Sequence, residues 1–294
     1  MKKYILIIIG ILITLLLVFC LIFRVKIKNF IIQKYEDFSK YYLYIDKEEL
    51  NIQVPVIMYH YIADYGTNVS QLEDKTIISA DAFEKQMKYL YDNGYKSLTM
   101  EEFMCWKKLE CKIDNKRFLI TFDDGFTSTY NLAEPILKKF NFTGVQFVIN
   151  ELLNKNTPTF EEAKYAYMGY DYIEKYSRDT IEIGSHTYHM HHQLPEIYAK
   201  VNGMSYKEIL KDFTSSKEEL KTKYLSYPFG AVTKDAIKAA KETGYECGFA
   251  LKGTMTYAKE DNYQISRISA TENYEKFKEI FETNKYRKKS FKIF

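Results

Sequence analysis

The period of apolar and polar positions changes several times along this chain. Residues 4–23, YILIIIGILITLLLVFCLIF, form one block without a charge. At about 1.5 Å per residue the block spans roughly 30 Å, the hydrocarbon thickness of a bilayer, and is expected to be a transmembrane helix. It runs straight into Arg24 and Lys26 with no small-x-small site, which marks an uncleaved anchor rather than a removed signal peptide. The expected organisation is an anchor over residues 1–28, a stalk over 29–52 that mixes charge with Tyr and lacks Gly and Pro, and one folded domain over 53–294.

From residue 54 onward, short β-branched or aromatic runs alternate with longer charged segments of helical period. The runs predict strands at 54–60, 117–124, 144–150, 180–186, 224–229, 245–251 and 263–269. Helical stretches between them include 81–94, 127–140, 205–223 and 233–244, the last opening on a Thr cap and closing on a Gly stop. Such alternation argues for an α/β fold with a parallel sheet. Seven strands in this length favour one barrel-like domain over two separate domains.

Composition narrows the function classes. The 294 residues are 46% hydrophobic and 28% charged, with a net charge of +3. The chain is too apolar for disorder and too weakly basic for a dedicated nucleic-acid binder, so no nucleic-acid partner is expected. Cys105 and Cys111 are six residues apart and fall on different faces of a continuous helix. A disulfide requires the helix to end between them, and two unpaired thiols are the expectation.

The candidate chemistry lies at strand ends. The first strand ends in His60 and the second in Asp123-Asp124-Gly125. The fourth ends in His186, followed closely by His189, His191 and His192, and the fifth in Pro228-Phe229-Gly230. All five histidines therefore occupy two strand ends, at the rim where parallel α/β folds build active sites. Adjacent residues on a strand point to opposite faces, so Asp123 and Asp124 are expected to take different tasks, one as metal ligand and one as free base. Two imidazoles and one carboxylate form a familiar zinc shell with positions left for water and substrate. Backbone N–H groups of the turn at 227–230 are expected to face a developing oxyanion.

These residues resemble the polysaccharide deacetylases, the NodB-homology group also called carbohydrate esterase family 4. The resemblance covers about residues 53–270, through VPVIMYHYI, LITFDDGFTSTYNLAEPILKKF, GVQFVI, IEIGSHTYHMHH, SYPFG and QISRIS. It implies a distorted (β/α) barrel, Asp123 as catalytic base, Asp124 and His186 as ligands of a divalent ion such as Zn2+, and an N-acetylglucosamine-containing glycan as substrate. The usual third-ligand position, four residues after His186, is Met190, and a thioether suits a hard hydrolytic ion poorly. Similarity to the variant loop of poly-β-1,6-N-acetylglucosamine deacetylases selects His191, ahead of His189 and His192.

Two departures accompany the resemblance. The arginine that orients the base in an Arg-x-Pro-x-Gly segment is replaced by Ser226, so the base must be held otherwise and turnover is expected to be slow. The late histidine that acts as general acid is also missing, which leaves His60 to complete the site as acid or substrate contact. A cell-surface or matrix polysaccharide implies an extracytoplasmic domain held by a single-pass anchor. Peptidoglycan is the alternative substrate, and a catalytically impaired glycan-binding protein is the alternative class.

Overall fold

The computed structural model describes residues 23–30, 32–34, 51–64, 76–158, 166–176, 180–193 and 199–288. The chain divides into two compact units, Met1–Leu50 and Asn51–Phe294. In the first, residues 23–30 and 32–34 are helical. No helix among the described residues is long and apolar enough to cross a membrane, and the expected span at 4–23 lies outside them save for its last residue.

In the second unit all seven predicted strands form one parallel sheet. They are β1 Val56–Tyr59, β2 Arg117–Phe122, β3 Gly144–Val148, β4 Ile181–Ser185, β5 Tyr224–Ser226, β6 Cys247–Phe249 and β7 Ile268–Ser269. The spatial order is β6-β5-β4-β3-β2-β1-β7. Closure comes from the segment leading into β7, where Ile265 bridges Phe249 of β6 before Ile268 pairs with Ile57 of β1. The seam is a single bridge rather than a full ladder, and this is the distortion of the barrel.

Helices cover the outside: α1 Ala80–Asp92, α2 Met100–Lys107, α3 Glu134–Lys139, α4 Tyr170–Tyr176, α5 Tyr206–Leu220, α6 Lys234–Thr243 and α7 Tyr274–Glu282. Local chemistry sets their ends. Ser205 caps α5 in a reciprocal capping box with Glu208, and Gly244 ends α6 at φ 82°, a conformation costly for other residues. The helix expected at 127–140 is continuous over residues 128–139, opening with a π-turn, Thr129–Ala133, that runs on into α3. Pro135 has no N–H to donate, and the Glu134 amide reaches back five residues to the Thr129 carbonyl.

Period-two alternation along β2 divides the core. Phe118, Ile120 and Phe122 face the cluster beneath α1, α3 and α7, while Leu119 joins Val145, Phe147, Cys247 and Phe249 in a second cluster inside the barrel. Thr121 and Asp123 continue the inward row toward the C-terminal mouth. The two cysteines form a disulfide, contrary to expectation, because α2 ends at Lys107 and lets the chain turn back.

Candidate active site

The mouth is framed by backbone that a side chain adopts only under constraint. Six non-glycine residues among those described have positive φ, and three of them stand here. They are Asp124 at 75° after β2, Thr187 at 72° after β4 and Phe229 at 57° after β5. Such strain, of order 1–3 kcal/mol each, persists only where the surroundings enforce it.

Asp124 shows the consequence. Had β2 continued, the two carboxylates would point to opposite faces, as the sequence suggested. The strand ends at Phe122, and the left-handed turn at Asp124 swings its side chain back to the same side as Asp123. His186 Nε2 stands 3.7 Å from Asp123 Oδ2 and 3.6 Å from Asp124 Oδ1. His191 Nε2 lies 3.3 Å from the same Asp124 oxygen. The donor atoms of Asp124, His186 and His191 are all within 4.8 Å of one another.

This donor set fits a metal. Donors around a tetrahedral ion with bonds of about 2.0–2.1 Å stand about 3.3 Å apart, close to the separations here. The tautomer agrees. His186 Nδ1 is 2.9 Å from the Ser226 carbonyl, which can only accept, so Nδ1 carries the proton and the Nε2 lone pair faces the carboxylates. A lone pair aimed at carboxylate oxygens is repulsive until a cation stands between them. Burial pulls the His186 imidazole down to about 3 and lowers that of His191 as well, which keeps both rings neutral and available as ligands.

Asp123 is held from the far side of the barrel. Arg267, fully buried, donates from Nη1 to Oδ1 at 2.7 Å and from Nη2 to Oδ2 at 2.8 Å. Its Nε donates to the Ala250 carbonyl at 3.3 Å, and its guanidinium lies 5.9 Å from the Phe147 ring centroid. Burial pushes the Asp123 carboxyl up, but the charge and the paired hydrogen bonds of the Arg267 guanidinium outweigh it and hold the group well below the usual carboxylate range. The orienting arginine absent before Pro228 is thus supplied from β7's approach, a residue the sequence reading passed over. Its signal was a lone charge inside the apolar run QISRIS.

The remaining candidates fall as follows. His60, immediately after β1, is half-buried and lies within electrostatic range of Asp123. Met190 is buried in the cluster beneath α5 and α6, which explains why the usual ligand position holds a thioether. Phe229 stacks on His191 with ring centroids 4.5 Å apart. Three of the four residues in the turn at 227–230 offer no amide to an oxyanion. The Tyr227 and Gly230 amides donate to the Phe249 and Tyr227 carbonyls at 3.0 and 2.9 Å, and Pro228 has no N–H. His189 and His192 leave this group and close instead on Glu151.

Comparison with known proteins gives this geometry a context. Residues 111–248 match the model of the family described as polysaccharide deacetylase. YxkH of Bacillus subtilis strain 168 is 28% identical over 81% of this chain and 77% of its own length. The poly-beta-1,6-N-acetyl-D-glucosamine N-deacetylase of Staphylococcus aureus strain MRSA252 is 29% identical over 65% of this chain and 67% of its own. The solved structure of IcaB from Ammonifex degensii shares the fold, with a TM-score of 0.64 at 23% identity over 74% of this chain and 92% of that one.

Proposed function

We propose, from the premise that the chain carries a polysaccharide deacetylase domain and is a hydrolase of carbon–nitrogen amide bonds, that it removes N-acetyl groups from a surface or matrix poly-β-1,6-N-acetylglucosamine. One observation carries the reading: a buried Asp123–Arg267 pair stands against the donor group Asp124, His186 and His191. The named activity of the Staphylococcus aureus relative supports this glycan over peptidoglycan.

Asp124, His186 and His191 would hold a zinc-class ion, which when bound supplies Lewis acidity toward the acetamide carbonyl and the attacking water. Asp123 accepts the proton of that water, and Arg267 fixes the plane of the carboxylate so that its lone pairs face the reacting centre. Phe229 covers one face of His191 and excludes solvent there. His60 returns a proton to the departing nitrogen, so the products are acetate and a glucosamine unit. Arg267 answers the absent arginine, one of the two departures on which the reading of a purely glycan-binding protein rests.

The uncharged block at 4–23 supports a single-pass anchor with the catalytic domain outside the cytoplasmic membrane. The full chain is expected in the detergent-extracted membrane fraction, and a chain lacking residues 1–28 in the soluble fraction. An unchanged partition after the deletion would overturn the anchor.

Acetate release tests the substrate. Zinc-loaded protein is expected to release acetate from poly-β-1,6-N-acetylglucosamine and little from peptidoglycan or chitin oligomers. Release from peptidoglycan alone would transfer the activity to the cell wall, and release from none would return the binding-protein reading.

A further inference from the structure

The loop after β4 carries two more histidine side chains than the two rings of a catalytic centre require, and the structure sorts them. His191 turns inward to Asp124, while Met190 is anchored in the core between α5 and α6. His189 and His192 turn outward and converge on one carboxylate, that of Glu151 in the single turn Asn150–Leu152 after β3. We propose that Glu151, His189 and His192 form a second binding site for a zinc-class divalent cation, which ties the β3 and β4 loops together across the segment that carries His191.

Geometry and chemistry both support this. His192 Nε2 is 2.8 Å from Glu151 Oε1, and His189 Nδ1 contacts Oε2, so each imidazole engages a different oxygen of the same carboxylate. The two rings are 4.9 Å apart at 63°, and the three donor atoms lie within 4.8 Å of one another. Two imidazoles and a carboxylate suit zinc, copper and nickel better than magnesium or calcium. An ion with bonds of about 2 Å needs its donors about 3.3 Å apart, so each ring has to draw back slightly from the carboxylate. The rings are free to do so, because the His189 and His192 side chains are 59% and 45% exposed. That exposure also leaves the remaining coordination positions to water.

The backbone beneath the site is already fixed. Asp212 accepts from the Tyr188 and His189 amides at 2.9 and 2.8 Å. Lys200 donates from its side chain to the His189 carbonyl at 2.8 Å and from its amide to the His192 carbonyl at 3.0 Å. The Glu151 amide donates to the Tyr188 carbonyl at 3.1 Å. An arriving cation therefore orders little more than three side chains. It neutralises Glu151 and locks both flanks of His191.

The test counts metal on the full-length protein. Chelator-stripped protein is dialysed against a series of buffered free zinc concentrations, and bound zinc is measured by mass spectrometry. The wild-type chain is expected to bind two ions, the second more weakly. Glu151→Gln is expected to weaken the second ion by roughly tenfold or more and leave the first in place. His192→Ala, a second exposed substitution, is expected to do the same and carries the test if the first variant fails to fold. Asp124→Ala is expected to lose the tighter ion and keep the weaker one. A single wild-type ion that Asp124→Ala removes, a second ion indifferent to both Glu151→Gln and His192→Ala, or loss of both ions in folded Asp124→Ala would each overturn the proposal. Failure of the first site alone would show as a single ion on the wild-type chain that Asp124→Ala keeps and Glu151→Gln or His192→Ala weakens.

Discussion

Asp123 and Arg267 form the pair on which the proposed chemistry turns, and only half of it was legible in the chain. The motifs around Asp123, Asp124, His186 and His191 are local, each within a few residues of a strand end. Arg267 is 144 positions from the carboxylate it holds. The sequence identified the strand that bears it but could not tell that the chain beyond β6 crosses the barrel mouth beside β1 and faces β2. Asp123→Asn is expected to retain metal and lose activity by 10²–10⁴-fold, measured as acetate release, since a general base contributes about that much. A loss of only tenfold would remove Asp123 from that role. His191→Ala is expected to lose both metal and activity. Arg267→Lys replaces a planar two-pronged donor with a single ammonium. The guanidinium holds the Asp123 carboxyl low, so weakening it raises that group. The base then protonates at a higher pH, and the acid limb of the kcat/KM profile is expected to move upward. A profile that falls in height without shifting would make Arg267 a packing residue only.

The elements were the most legible level, because period and punctuation are local properties. Each of the seven apolar runs contains a strand, and the Thr233 cap and Gly244 stop bracket α6 as expected. What failed was a feature set by where one helix stops: α2 ends early enough to join Cys105 to Cys111. Packing between strands is the next layer up. Gly184 of β4 is in register with Phe147 of β3, and a Cβ there would run into the Phe147 ring. That ring lies beside the Arg267 guanidinium. Gly184→Ala is therefore expected to cost about 1–3 kcal/mol in urea unfolding, the usual penalty of overpacking. It should also lower activity by displacing Phe147 toward Arg267. A variant as stable as the wild type would mean that Phe147 has room to move.

Across the whole domain the polar residues of the mouth have a counterpart at the opposite end. Lys107, the last residue of α2, is almost fully buried at the floor of the barrel. Its ammonium donates to the Tyr257 and Glu260 carbonyls at 2.7 and 2.9 Å, next to the short strand Thr256–Tyr257 that pairs with Gln53–Val54. Burial pulls the group down from 10.5 to about 8 despite the favourable charge of Glu260. Below that value the lysine is charged whether folded or unfolded, and the cost of burying the charge is present in full. Between it and the unfolded value of about 10.4, the unfolded chain keeps a proton that the folded chain has released. Unfolding then takes up a proton, so this group's contribution to stability improves as pH rises. Ionising tyrosines and Cys247 act in the opposite direction at alkaline pH, which makes the wild type alone an ambiguous probe. Lys107→Met leaves those groups in place and removes only the lysine. The wild type is expected to gain about 2 kcal/mol relative to Lys107→Met between pH 7 and 10, read from paired urea unfolding curves. A constant difference would mean that Lys107 titrates at its ordinary value, with water reaching the floor of the barrel.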